Sequence, residues 1–112
     1  MRKPLITKVE TTSAQGDGSW LEFRRPTWGE RRGLVAQMEP LEGETLEQFA
    51  FDVLSERLES WNWKDTDGKD MPLPKRMDDF KAYTEEEVET LFDVVARAVR
   101  GVLRYTEEDA KN

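Results

Sequence analysis

The segment Asp65-Thr66-Asp67-Gly68-Lys69-Asp70 sets three carboxylates around a glycine, residue types that hold calcium in an EF-hand loop. Such a loop needs ligands at alternate positions, glycine at the sixth and a bidentate glutamate at the twelfth. Counted from Asp65, the fifth position is Lys69, the sixth Asp70 and the twelfth Arg76, so the register fails. The segment is more simply a turn, with Gly68 at positive φ and the acids facing water, and no metal is assigned. Asp78/Asp79 and Glu85 to Glu87 could in principle do acid–base work, but 24 acidic residues bring such pairs together by composition. The chain has no His and no Cys. That removes the usual general base near neutral pH, the strongest nucleophile, disulfides and thiolate metal sites. No phosphate-binding glycine loop, His-ligand motif or nucleophile elbow is present. The expectation is a non-enzymatic protein without a cofactor.

Recognition is the remaining chemistry. Trp61 and Trp63 stand one residue apart in "WNWKDTDGKDMPLP", so in an extended backbone both point the same way and Asn62 points opposite. One reading folds the pair down onto neighbouring helices, with Leu73, Met77 and Phe80 as further anchors, because an indole buries about 200 Å². The other turns one tryptophan outward as a binding hot spot. Both can hold on one loop.

The elements that position this segment are legible from period and punctuation. Residues 5–10 and 19–24 alternate apolar and polar side chains and predict a β-hairpin. Trp20 and Glu22 share one face of its second strand and Leu21 and Phe23 the other, and only one face is expected to be dry. Thr27 and Glu30 form a capping box for a helix over 28–38, with Trp28, Leu34, Val35 and Met38 apolar. Gly29 and Gly33, four apart, suggest that another element could approach closely. Thr45 and Gln48 form a second box for a helix over 46–59, with a stripe of Leu46, Phe49, Ala50, Val53, Leu54 and Leu58. No helical period survives over 60–83, an irregular segment of a length that is commonly functional or mobile. Thr84 and Glu87 then cap a helix over 85–104, with acids at its start and Arg97, Arg100 and Arg104 near its end, as the helix dipole favours. Its stripe is Val88, Leu91, Phe92, Val95, Ala98, Val99, Val102 and Leu103. A polar tail follows over 105–112. The fold class is therefore α+β in one domain, 1–112: an N-terminal hairpin, three principal helices and a long irregular segment.

The net charge of −7 is uneven. Residues 1–34 hold seven basic against four acidic residues, 35–74 three against ten, and 75–112 seven against ten. Such a chain repels nucleic acid phosphates unless Arg24–Arg25 and Arg31–Arg32 gather into an isolated basic patch. No apolar run approaches the roughly 20 residues that a membrane helix needs, nor does the N-terminus carry a signal-like apolar stretch. A soluble, unexported protein is expected.

"LEFRRPTWGER" leading into a helix, "SWNWKDTDGKDMPLP", and a helix opened by "YTEEEVETLF" together resemble the small tail assembly chaperones of long-tailed bacteriophages. The features carrying this are Trp61, Trp63, Asp65, Asp67, Gly68, Pro72, Pro74 and Thr84, across about residues 20–104. The resemblance implies binding of the tape-measure protein and recruitment of tail-tube protein in the cytoplasm of the bacterial host. Family members are often also made as a frameshifted longer form. Trp61, Trp63, Leu54 and Phe92 are the candidate partner-binding residues. Self-association into a homo-oligomer is compatible with the broad stripes. Two alternatives are a head–tail or tail component retained in the virion, and an acidic regulator of a host DNA-binding protein acting through Glu47, Asp52, Glu56 and Glu59.

Overall fold

The computed structural model describes Arg2 and residues 4–103; residues 1, 3 and 104–112, including the expected polar tail, lie outside the described residues. Strands β1 (Ile6–Glu10) and β2 (Trp20–Arg24) pair antiparallel in the register Ile6↔Arg24 to Glu10↔Trp20, the expected hairpin. Its connection contains a single helical turn, α1 (Thr12–Gln15), closed by Gly16 at φ 91. Leu21 and Phe23 are fully buried, whereas Trp20, Glu22 and Arg24 are half-buried on the other face. The one-dry-face expectation holds.

The sheet has a third strand that the helical period concealed. Helix α3 spans Gly43–Arg57 and is followed at once by β3 (Leu58–Trp61), antiparallel to β2 with Leu21↔Trp61 and Phe23↔Leu58 and an irregularity between Glu22 and Phe23. The expected helix over 46–59 thus ends two residues early and starts three residues early. Leu58 satisfies a helical stripe and a strand alternation equally well, since in either state it faces the core. At the other end, Gly43 takes φ +59, a conformation that glycine reaches without the Cβ penalty of other residues, and the helix begins there. Thr45 is at the third helical position rather than at the N-cap, which is Glu42: its hydroxyl donates to the Glu42 carbonyl at 2.6 Å and accepts from the Glu42 N–H at 3.4 Å. Gln48 donates to Asp52 Oδ1 instead of reaching back.

The other two capping boxes form as expected. Helix α2 (Trp28–Met38) opens with Glu30 N–H donating to Thr27 Oγ1 at 3.2 Å and Thr27 N–H to Glu30 Oε1 at 2.9 Å. Helix α4 (Glu85–Arg100) opens with the same pair between Glu87 and Thr84, at 3.1 and 2.8 Å. It stops four residues short of the expected 104 because Gly101 enters the left-handed region at φ 79, where Val102 N–H bonds the Arg97 carbonyl and Gly101 N–H that of Ala98, the bond pattern of a Schellman ending. Val102 consequently leaves the stripe and is half exposed, while Val94 joins it fully buried.

Helix α4 is the hub: α1, α2 and α3 all pack against it. The core joins its Leu91, Val94, Val95, Ala98 and Val99 to Leu21 and Phe23 of the sheet and to Phe51, Val53 and Leu54 of α3. Arg57, also buried, ties the end of α3 to the start of α2 through Glu30 at 3.5 Å. Nothing lies within 4 Å of where a Cβ would sit on Gly29 or Gly33, so no element approaches there. The close approach is at Gly101, where a Cβ would come within 3.2 Å of Arg31 Nε.

The cap geometry has a measurable consequence. Thr84→Ala removes an N-cap side chain and should lower unfolding free energy by about 1 kcal/mol, whereas Thr45→Ala, which removes only the exposed third-position hydroxyl with its long 3.4 Å contact to the Glu42 N–H, should cost clearly less, about 0.5 kcal/mol. Urea titration of both variants checks this; equal losses would contradict the observed start of α3.

Candidate interaction surface

The tryptophan segment folds back. The Trp61 and Trp63 rings stack with centroids 4.3 Å apart and planes 5° from parallel, on the same side as their spacing requires. Trp63 has no exposed surface, and its indole N–H donates to Thr11 Oγ1 at 3.0 Å. The Thr11 hydroxyl donates to Ser19 Oγ at 2.8 Å, and Ser19 in turn to the Gly16 carbonyl. Trp61 is half-buried and donates to the Met71 carbonyl at 2.7 Å. Asn62, pointing the other way, accepts from Trp20 N–H and donates to the Gly18 carbonyl, which prolongs the pairing beyond β3.

The hairpin connection receives this segment. Lys64 N–H donates to Gln15 Oε1 at 2.9 Å and Gln15 Nε2 donates to the Lys64 carbonyl at 3.1 Å. The same amide donates to Glu87 Oε2. Glu87 is buried, and its two oxygens serve different masters: one the N-cap of α4, the other α1. In the turn, Asp65 Oδ1 accepts from Asp67 and Lys69 N–H at 2.8 and 3.0 Å, and Gly68 takes φ +80. The turn reading of "TDGKD" is therefore the observed one. Among the described residues, no group of three or more His, Cys, Asp or Glu could hold a metal ion.

Beyond the turn, a 3-10 helix (Met77–Ala82) carries Phe80 into an aromatic chain with Phe51, Phe92 and Tyr83 at centroid distances of 5.3 to 5.5 Å, and Tyr83 lies 6.2 Å from Trp61. Asp79 Oδ2 accepts from Lys75 and Arg76 N–H, and these bonds hold its carboxyl below the usual range. The Tyr83 phenol is pushed up to about 12, chiefly by burial and then by the charges of Asp79 and Glu87. Met71, Leu73 and Tyr83 floor a shallow groove of about 590 Å³ whose rim includes Asp65, Asp70 and Asp78.

The four residues nominated from sequence separate into two kinds. Leu54 and Trp63 are fully buried and offer no surface to a partner in this conformation. Trp61 and Phe92 are half-buried members of the aromatic cluster. Among the described residues, the large apolar side chain most open to solvent is instead Trp28, 66% exposed at the first turn of α2, with the Arg32 guanidinium 4.8 Å from its ring centre. Its position held a weak signal. At about 100° per residue, Leu34, Met38 and Val35 form the body of the α2 stripe and Trp28 sits at its edge. No residue of α2 is fully buried.

No helix among the described residues is long and apolar enough to cross a membrane. Compared with known proteins, the chain matches no family model, no curated protein and no solved structure.

Trp63→Ala should cost about 3–5 kcal/mol of stability, since it empties a fully buried aromatic site, and should strand the Thr11–Ser19 pair. Trp61→Ala should cost clearly less; denaturant titration of the two variants checks the order. Tyr83 gives a pH test. Its folded pKa lies above the unfolded value near 10, so its contribution to stability is complete below about pH 10 and is lost as pH rises toward 12. Urea midpoints across that range should fall more steeply for the natural chain than for Tyr83→Phe.

Proposed function

We propose that this chain is a non-enzymatic assembly chaperone or adaptor of long-tailed bacteriophage tail morphogenesis, acting in the host cytoplasm on the tape-measure protein and tail-tube subunits. The observation that carries the reading is a division of labour among the aromatics. The tryptophan turn that contributes most to the resemblance serves the fold, while Trp28 and a groove floored by Met71, Leu73 and Tyr83 stay open to solvent. A holdase for aggregation-prone helices needs such apolar surface together with charge enough to remain dissolved. The chain has that charge at −7.

The acidic-regulator alternative has less support. Of its four carboxylates, Glu56 and Glu59 are engaged by Arg24 at 3.9 and 3.4 Å, so only Glu47 and Asp52 are left without a cation among the described residues. Retention in the virion remains the structural alternative.

The test is co-expression of the tagged chain with the long helical protein encoded beside it, followed by pull-down and light-scattering chromatography. The reading expects a soluble complex that survives about 0.5 M salt, because apolar burial is not screened. No complex, with the chain found in purified particles or on a basic host factor, would overturn it.

A further inference from the structure

We infer that Trp28 and the arginines around it form a docking face for an acidic amphipathic helix of a partner protein. The inference rests on the reading of the chain as a binding protein and names the surface and the chemistry of what it binds.

Trp28 divides two shallow depressions. One, of about 280 Å³, lies between the start of α2 and the end of α4 and is edged by Arg25, Arg31 and Arg100. The other, of about 340 Å³, runs along α2 over Val35 and Ala36, edged by Arg31, Arg32 and, at its far end, Glu39. Four arginines therefore surround one exposed indole against a single lining carboxylate, on a chain whose net charge is −7. Arg31, Arg32 and Arg100 make no ion pair among the described residues. The other carboxylate of this region, Glu30, is turned away to Arg57 and the Thr27 N–H.

The face is also held in shape. Arg32 lies over the Trp28 ring, which holds the indole by a cation–π contact. The Arg31 stem runs against Gly101 at the end of α4, where a cation suits the helix dipole. Arg25 is fixed by the Leu5 and Pro4 carbonyls. Ordered guanidiniums flanking an exposed tryptophan suit carboxylates that flank an apolar row, the layout of an amphipathic helix in a groove.

Charge complementarity alone would also admit nucleic acid, but that ligand needs a basic track along successive phosphates. Here the track is short. Arg24, which would extend it, is taken by Glu56 and Glu59, and Glu39 closes the end along α2.

The test uses the full chain and a fluorescein-labelled 20-residue helix with a leucine row flanked by glutamates, followed by anisotropy at about 50 mM salt. The probe should bind, and Trp28→Ala and the charge-reversed pair R31E/R32E should each weaken it at least tenfold, while a lysine-flanked control should not bind. Because Trp28 is mostly exposed, the alanine variant should keep its melting temperature, which separates lost binding from lost fold. Failure of the probe to bind, equal binding by the variants, or displacement by a 12-nucleotide oligothymidylate would overturn the inference. Testing Trp28→Ala in the co-expression pull-down separates the two claims: a complex unaffected by Trp28→Ala removes this face and leaves the assembly reading standing.

Discussion

The structure depends on the placement of one indole. Residues 62–76 have no regular element beyond a single Lys64↔Asp70 bridge, and ordering a stretch like that costs about 1–2 kcal/mol per residue in backbone entropy. Trp63 offsets part of it locally. It is fully buried, stacked on Trp61, and bonded to a threonine whose hydroxyl is already aligned by Ser19. Leaving that N–H without a partner in the core would cost about 1–3 kcal/mol, so the hairpin connection and the tryptophan segment specify each other. Gln15 and Asn62 repeat the same arrangement on either side, one amide matched to the Lys64 backbone and the other to Trp20 and Gly18.

With Trp63 committed to the interior and Trp61 stacked half-buried against it, changes at the pair act first on folding. A Trp63 variant that loses a partner has first lost the bond between hairpin and loop. The separation of roles also bears on why an acidic chain carries an arginine-rich face: Asp65, Asp70 and Glu56 are engaged by backbone N–H groups, Lys64 and Arg24, while Arg31, Arg32 and Arg100 make no ion pair among the described residues. Helix α2 can present that face because it packs on α4 yet buries no residue completely.

What could be read from the sequence was what is local. Thr27 with Glu30 and Thr84 with Glu87 are short-range patterns, and both boxes form. The alternation in β1 and β2 predicted the hairpin and its dry face. The failures have one physical form: two local rules competed and tertiary context chose. Thr45 with Gln48 had the right spacing, but Gly43 could take a left-handed φ and start the helix sooner. Leu58 fitted both periods, and pairing with Phe23 decided for the strand. Gly101 ended α4 and released Val102 from a stripe that sequence counting had continued. The candidate site was less legible than the fold. Leu54 and Phe92 both fit helical stripes, and Leu54 is pure core. The exposure of Trp28 depends on which elements fail to cover α2, and no period records that.

The most direct test is hydrogen exchange of the four indole N–H groups, followed by two-dimensional NMR with each peak assigned through a Trp→Phe variant. If the Trp63–Thr11 bond is the fixed point of the fold, the Trp63 indole proton should be the slowest of the four and exchange only with global unfolding, while that of Trp28 exchanges near the rate of a free indole. Exchange of Trp63 on the same timescale as Trp28 would contradict this account and would return the tryptophan turn to the surface as a binding element.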